Sequence, residues 1–218
     1  MNQFNQFQEA LALIHIEKNV FLVKPDKRYF VGNTPHGGYL QALMHKVLVT
    51  ILPHATAISS SVQFLDRIEN DDLTLTVDIY KISRGSSSGV VRAIQDDKVC
   101  AVFTGTCSDF EHMKGYSGLN TPLPKIFDES NMANYVEMNY DKISKGFTPN
   151  FIKQLKCLVH PDHAWWNKEE LEEDAEARCS AFLELDGGMP DQLCLSFYTD
   201  ILPPVVSNKY GPLGWIPT

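Results

Sequence analysis

Two stretches of the chain carry residues whose types and spacing could do chemistry. His36-Gly37-Gly38-Tyr39 stands directly ahead of an apolar run, Leu40 to Leu52. In that run Leu40, Leu43, Met44, Val47 and Ile51 recur at helical spacing, and Pro53 ends it. The first N–H groups of a helix have no intrahelical partner and carry partial positive charge. Glycines without side chains expose those groups to an anionic guest, of which a developing oxyanion is one. The pair Gly37-Gly38 is also expected to turn the backbone sharply into the helix. Gln41 and His45 share a stripe one turn apart, where His45 could orient a ligand or hold a water. A satisfied core histidine is the plainer alternative for His45, and a turn-shaping role for His36.

The second stretch is Asp186-Gly187-Gly188-Met189-Pro190, a turn, followed by a helix expected from Asp191 to about Leu202, ahead of Pro203-Pro204. Gln192, Ser196, Thr199 and Asp200 fall on one stripe, while Leu193, Leu195, Phe197, Tyr198, Ile201 and Leu202 cover much of the rest. Asp200 is the odd member. In the last turn of a helix the dipole disfavours a carboxylate by roughly 0.3–1 kcal/mol. A charge on a mostly buried helix also costs free energy unless it is paired. Local rules broken without visible compensation often mark function, and a carboxylate so placed can serve as a base. The alternative is an aspartate satisfied by solvent or by backbone N–H groups.

Other patterns carry less. Gly85-Ser86-Ser87-Ser88-Gly89 matches a nucleophile-elbow pattern, but that motif must join a strand to a helix. Strands are expected on both sides here, so it reads as a hairpin turn. His160-Pro161-Asp162-His163 beside Trp165-Trp166 lacks a further ligand cluster and reads as a loop. Glu169 to Glu176 reads as a solvated acidic face. No phosphate-binding glycine loop or zinc spacing occurs, so neither metal nor cofactor is expected. Lys24, Lys27, Arg28, Arg84 and Arg92 could form local patches for an anionic small molecule, although ordinary surface charge explains each.

These residues need elements to position them. A short helix is expected over residues 4–14, with Phe4, Phe7, Leu11 and Ile14 on one face. Val20 to Val23 reads as a strand and Pro25-Asp26 as a turn. After the central helix come strand patterns at Ala57 to Leu65, Leu73 to Ser83, Gly89 to Gln95 and Val99 to Cys107. Asp96-Asp97 between the last two signals a tight hairpin. The class is α+β: an antiparallel sheet wrapped around one helix, over residues 1–110. Residues 111–149 read as a linker. Residues 150–218 form a second, partial unit, with strands at Phe151 to His160 and Ala175 to Leu185. It repeats the order strand, Gly-Gly turn, apolar helix, then stops short by about three strands. An open sheet edge is the expected result, which a partner chain could cover, making a homo-oligomer possible.

Composition describes an ordinary globule, 44% hydrophobic and 21% charged. A net charge of −8 with no basic stripe argues against nucleic acid. No apolar stretch approaches the ~20 residues that span a bilayer. The start lacks the basic head and apolar core of a secretory signal. The five cysteines are odd in number and lack Cys-x-x-Cys spacing. They read as reduced, mostly buried thiols of a cytoplasmic protein.

With these residues laid out, the chain resembles the thioesterase-like superfamily of double hot-dog proteins, relatives of acyl-CoA thioesterase II. The resemblance rests on Asn33-Thr34-Pro35-His36-Gly37-Gly38-Tyr39-Leu40, Phe64-Leu65-Asp66-Arg67, Ser83-Arg84-Gly85-Ser86-Ser87 and Ala93-Ile94-Gln95-Asp96-Asp97-Lys98. It continues through Leu185-Asp186-Gly187-Gly188-Met189-Pro190-Asp191, Phe197-Tyr198-Thr199-Asp200-Ile201-Leu202-Pro203-Pro204 and Gly214-Trp215-Ile216-Pro217-Thr218. It implies two hot-dog units side by side with central helices, hydrolysing an acyl-CoA or similar thioester between them. By position, Asp200 is similar to the family's catalytic aspartate and Thr218 to the threonine that helps hold the attacking water. Gly38 would supply the N–H facing the thioester carbonyl. His36, Gly37, Tyr39, Gln41, His45 and Arg84 are then the expected substrate-binding positions. The glutamine that usually completes the water site comes from a later strand, which the sequence ends before reaching. Many single hot-dog relatives carry a carboxylate where this chain has His45, so the first unit is expected to be catalytically silent. The alternative is a non-catalytic module that binds an acyl ligand or a protein. A hydratase ranks last, since Gly32 stands where that chemistry wants an aspartate.

Overall fold

The computed structural model describes residues 1–69, 71–118, 120, 129–143, 147–171 and 174–211. Helix α1 (Gln3–Ala10) is capped by the Asn2 side chain, which accepts from Asn5 N–H. It stops before the expected boundary. Ile14 and Ile16, both β-branched, enter strand β1 (Ile14–Glu17), which folds back through Asn19 at φ +62° onto β2 (Val20–Val23). Ile14 is exposed there, not on a helix face.

Asp26 caps a 3-10 turn over Lys27–Tyr29. Two short strands, β3 (Phe30–Val31) and β4 (Thr34–Pro35), then pair around Gly32, whose φ of +61° suits glycine. Helix α2 (Gly37–Ile51) follows. Four long strands come next: β5 (Thr56–Phe64), β6 (Leu73–Ile82), β7 (Ser87–Gln95) and β8 (Lys98–Ser108). Their limits lie close to those expected. Asp96 and Asp97 both take positive φ, as a two-residue hairpin of the primed type requires. The Gly85–Gly89 stretch is a hairpin between β6 and β7.

These strands form one antiparallel sheet in the order β1-β2-β6-β7-β8-β5. It wraps α2, whose Tyr39, Ala42, Leu43, Met44, Val47 and Leu48 are wholly buried. Contact is closest where Gly89 and Gly105 sit opposite each other, because a Cβ on Gly105 would lie 2.5 Å from a Leu48 methyl.

The remainder is less regular. It holds β9 (Val136–Glu137), α3 (Tyr140–Ile143), β10 (Lys156–Val159), β11 (Ala181–Glu184), α4 (Gln192–Tyr198) and α5 (Ser207–Tyr210). A small antiparallel sheet runs β11-β10-β9. Both expected strands here are shortened. Residues 150–154 form a 3-10 turn that seats Phe151 in the core, and pairing with β10 begins only at Ala181.

Helix α4 is shorter than its apolar pattern predicts. Asp191 is its cap, Pro190 lies outside, and the helix ends at Tyr198. The Thr199 hydroxyl donates to the Ser196 carbonyl at 2.8 Å, a side-chain bond that competes with helix continuation. Asp200 therefore lies just past the helix instead of in its last turn.

One apolar cluster runs from Phe7 through α2 and the sheet to Phe197 and Ile201, so both halves of the chain share a core. Helix α1 packs on the far half. Phe4 N–H donates to the Asp186 carbonyl at 3.0 Å, and Phe7 stacks on Phe197 at 5.0 Å. A Cβ at Gly188 would fall 2.3 Å from the Phe4 ring, so this glycine pair is the seat of α1. Among the described residues no helix is long and apolar enough to cross a membrane.

Candidate active site

The polar stripe of α4 lies along α2 in reverse order, so the two helices run antiparallel. Gln192 brackets the approach to β5, accepting from Ala57 N–H at 2.9 Å and donating to the Ala55 carbonyl at 2.8 Å. Ser196 Oγ meets His45 Nδ1 at 2.7 Å, and Thr199 Oγ1 lies 3.3 Å from Gln41 Oε1. Asp200 reaches the start of α2, where its Oδ2 accepts from Gly38 N–H at 3.2 Å.

That last contact supplies something α2 lacks. Its N-cap residue, His36, makes no side-chain capping bond, whereas α4 is capped by its own Asp191, which accepts from Leu193 and Cys194 N–H. Asp200 thus caps α2 from a distant part of the chain. The helix dipole that was expected to disfavour it instead favours it, since the carboxylate sits at the positive end of a neighbouring helix. Its side chain is 53% exposed, so it lies on a rim and not inside the core.

The glycines are explained by proximity. Neither Gly37 nor Gly38 has positive φ, which corrects the expected sharp turn. A Cβ on Gly37 would lie 2.6 Å from Asp200 Oδ2, and one on Gly38 would lie 2.3 Å from the Phe197 carbonyl oxygen. Side chains are absent because the end of α4 occupies their space.

His36 is buried beneath this corner. Its Nε2–H donates to the Asp200 main-chain carbonyl at 2.8 Å and lies 3.3 Å from Asp200 Oδ2. A carbonyl only accepts, so the proton is on Nε2. Nδ1 is buried with no partner. Burial lowers the pKa of this imidazole, against the opposing pull of the Asp200 charge, so the contact is a neutral hydrogen bond rather than an ion pair. The ring is held 3.9 Å from that of Phe151 and edge-on to Phe197.

The other expected positions separate. Tyr39 is wholly buried, its hydroxyl donating to the Ala10 carbonyl at 2.7 Å and accepting from Asp26 N–H at 3.0 Å. It ties α1 to α2 from within the core, away from the exposed corner where Asp200 lies. His45 is also buried, its pKa lowered by burial, with Nε2 unpartnered and the ring stacked on Phe103. It belongs to the helix interface. Arg84 is exposed in the β6–β7 hairpin, where its carbonyl lies 3.4 Å from His54 Nε2. His54 follows the C-terminal end of α2, and a 15-residue helix is about 22 Å long, so Arg84 stands at the wrong end to join His36 and Asp200. Thr218 lies outside the described residues.

Phe64 and Phe151 are the residues that pattern reading missed. The half-exposed Phe64 ring comes within 3.2 Å of where a Gly37 Cβ would be, so it walls the corner beside Asp200. The strand limit and the Phe64-Leu65-Asp66-Arg67 motif pointed to the position without giving it a role. Two cavities, of about 610 Å³ beside Gln3 and Lys156 and about 280 Å³ beside Trp165 and Trp166, border neither Asp200 nor α2. Among the described residues no group of three or more His, Cys, Asp or Glu side chains could hold a metal ion. All five cysteines are free thiols, and burial raises Cys157 and Cys194 to about 12.

Comparison with known proteins bears on the fold that carries this corner. Residues 25–108, from the turn before β3 to the end of β8, match the family described as acyl-CoA thioesterase N-terminal domain. No curated protein sequence matches the chain. Among solved structures, a candidate thioesterase II from Thermobifida fusca YX aligns at a TM-score of 0.74 and 18% identity, covering 93% of this chain and 74% of that one. A hot dog-fold protein from Alicyclobacillus acidocaldarius gives 0.75 at 16% identity, over 94% and 72% of the two chains. An acyl-CoA thioesterase II from Mycobacterium marinum gives 0.59 at 13% identity, over 90% and 67%. At such identities these likenesses speak to the fold. Residues 25–108 thus match the family described as acyl-CoA thioesterase N-terminal domain, and the chain takes the double hot-dog fold of these solved structures.

Proposed function

We propose that the protein hydrolyses acyl-CoA thioesters to the free acid and CoA, with Asp200 as the base that activates water. One observation carries this: a half-exposed carboxylate held at the bare N-terminus of α2 by Gly38 N–H. In the resting arrangement that N–H is taken, which amends the simple picture of an open oxyanion donor. The thioester carbonyl displaces Asp200 Oδ2 from Gly38 N–H, and the freed carboxylate turns to a water beside the carbonyl carbon. Asp200 takes a proton as hydroxide adds, and the tetrahedral oxyanion rests on Gly38 N–H. The C–S bond breaks, and the CoA sulfur recovers the proton from Asp200. Thr218 is proposed to help hold the water, and Phe64 to flank the acyl group.

The test is hydrolysis of a panel of acyl-CoA esters by the protein and by Asp200→Asn. An amide oxygen can still accept from Gly38 N–H, so the fold survives while the base is lost. A fall of about 10²–10⁴-fold is expected. Equal rates in the two proteins overturn the role of Asp200.

A second reading, a non-catalytic module that binds an acyl ligand, is favoured by one observation: Asp200 already satisfies the helix it would have to leave. It predicts saturable acyl-CoA binding without turnover, and an Asp200→Asn variant altered in stability alone.

A further inference from the structure

We propose that His36 is a positioning residue for Asp200, acting as a neutral imidazole with its proton on Nε2, and not a substrate contact. The inference rests on the role given to Asp200 above. His36 is 5% exposed, so a ligand at the corner does not reach its ring. Among the described residues the ring's polar partner is Asp200, through the main-chain carbonyl at 2.8 Å and the carboxylate oxygen at 3.3 Å. The first bond fixes where the chain leaves α4. The second leaves a donor beside Oδ2 when Gly38 N–H passes to a substrate. The ring itself cannot swing, since Phe151 lies against its face and Phe197 against its edge.

The tautomer follows from the same geometry. A proton on Nδ1 would be buried with no acceptor, because that nitrogen has no partner among the described residues. A proton on Nε2 has two acceptors on one residue. His36 thus holds the Asp200 main chain in place while leaving the carboxylate able to rotate. Among the described residues the titratable and charged groups near the ring reduce to Asp200, since Phe151 and Phe197 supply only apolar surface.

Two variants and one spectrum test this. His36→Phe preserves the stacking and removes the donor, and is expected to lower kcat about 10–100-fold with KM changed less than threefold. His36→Gln returns an N–H near the position of Nε2 and is expected to restore most of kcat. A KM effect that outweighs the kcat effect, or no rescue by glutamine, overturns the assignment. Independently of activity, long-range ¹H–¹⁵N spectra of the imidazoles should show His36 as the neutral Nε2–H tautomer at pH 7, with its ¹⁵N shifts moved in Asp200→Ala. The Nδ1–H form or an imidazolium at that pH overturns the proposal, and so do shifts unmoved in Asp200→Ala. Should the protein hydrolyse no thioester, the function fails while the spectrum still decides the contact.

Discussion

A methyl group at Gly37 meets Asp200 Oδ2, the end of a side chain that can rotate away, whereas one at Gly38 meets the Phe197 carbonyl, which is backbone. The two substitutions should therefore part company. Gly37→Ala is expected to drive the carboxylate out of the corner where it must activate water, lowering thioesterase activity at a stability cost of about 1 kcal/mol. Gly38→Ala overpacks the junction between helices and should cost about 1–3 kcal/mol in urea unfolding. Equal losses of stability in both would contradict this account. At this scale the sequence was informative about residue type and less so about reason. A Gly-Gly pair before an apolar helix marked the candidate corner. Whether the glycines served a turn or a close approach depended on what lay across from them, and Phe197 is far away in the chain. Asp200 stood out as a charge on an apolar helix, yet its partner could not be read from helical spacing.

Between elements, the α2–α4 contact carries two buried histidines, His36 and His45, each with one nitrogen unpaired. Burial lowers the pKa of both from the ordinary 6.5, so the unfolded chain binds protons that the folded one refuses. The stability this confers is complete above pH 6.5 and is lost as pH falls below that value. The urea midpoint is expected to drop between pH 7 and pH 5, and His45→Asn should flatten part of that slope. A midpoint that rises with acid over this interval would refute the buried, neutral state of these rings. The elements themselves were largely legible. The long strands and α2 have strong periodicity, whereas β1 and the ends of α4 were misjudged where turn chemistry and a threonine hydroxyl outweighed apolar spacing.

For the whole molecule, β5 ends the large sheet, and residues 58–61 on it are exposed. Thr56 to Phe64 contains neither a charged residue nor a proline, the usual guards of an open edge. Ile58 and Phe64 are exposed along the same strand. Ser60→Lys should abolish any concentration-dependent mass increase seen by sedimentation while leaving the thermal midpoint within about 2 °C, since surface changes rarely exceed ~0.5 kcal/mol. Association that persists in this variant would place the contact elsewhere. The repeat of strand, glycine pair and helix made a repeated order readable, and the family resemblance implied the double hot-dog. What it concealed was the exchange of partners: the first glycine pair receives the end of α4, and the second receives α1.

That exchange has a consequence for how the chain comes into being. Gly38 and Asp200 are 162 positions apart, and Phe4 and Asp186 are separated even further. During synthesis from the N-terminus, the large sheet and α2 leave the ribosome well before the residues that cover their exposed corner. Until then α2 has no anion at its first turn, and α1 has no glycine bed to lie in. A nascent chain of this design spends its early life with its two most exacting contacts unmade. Synthesis of residues 186–200 supplies both the anion at α2 and the bed for α1.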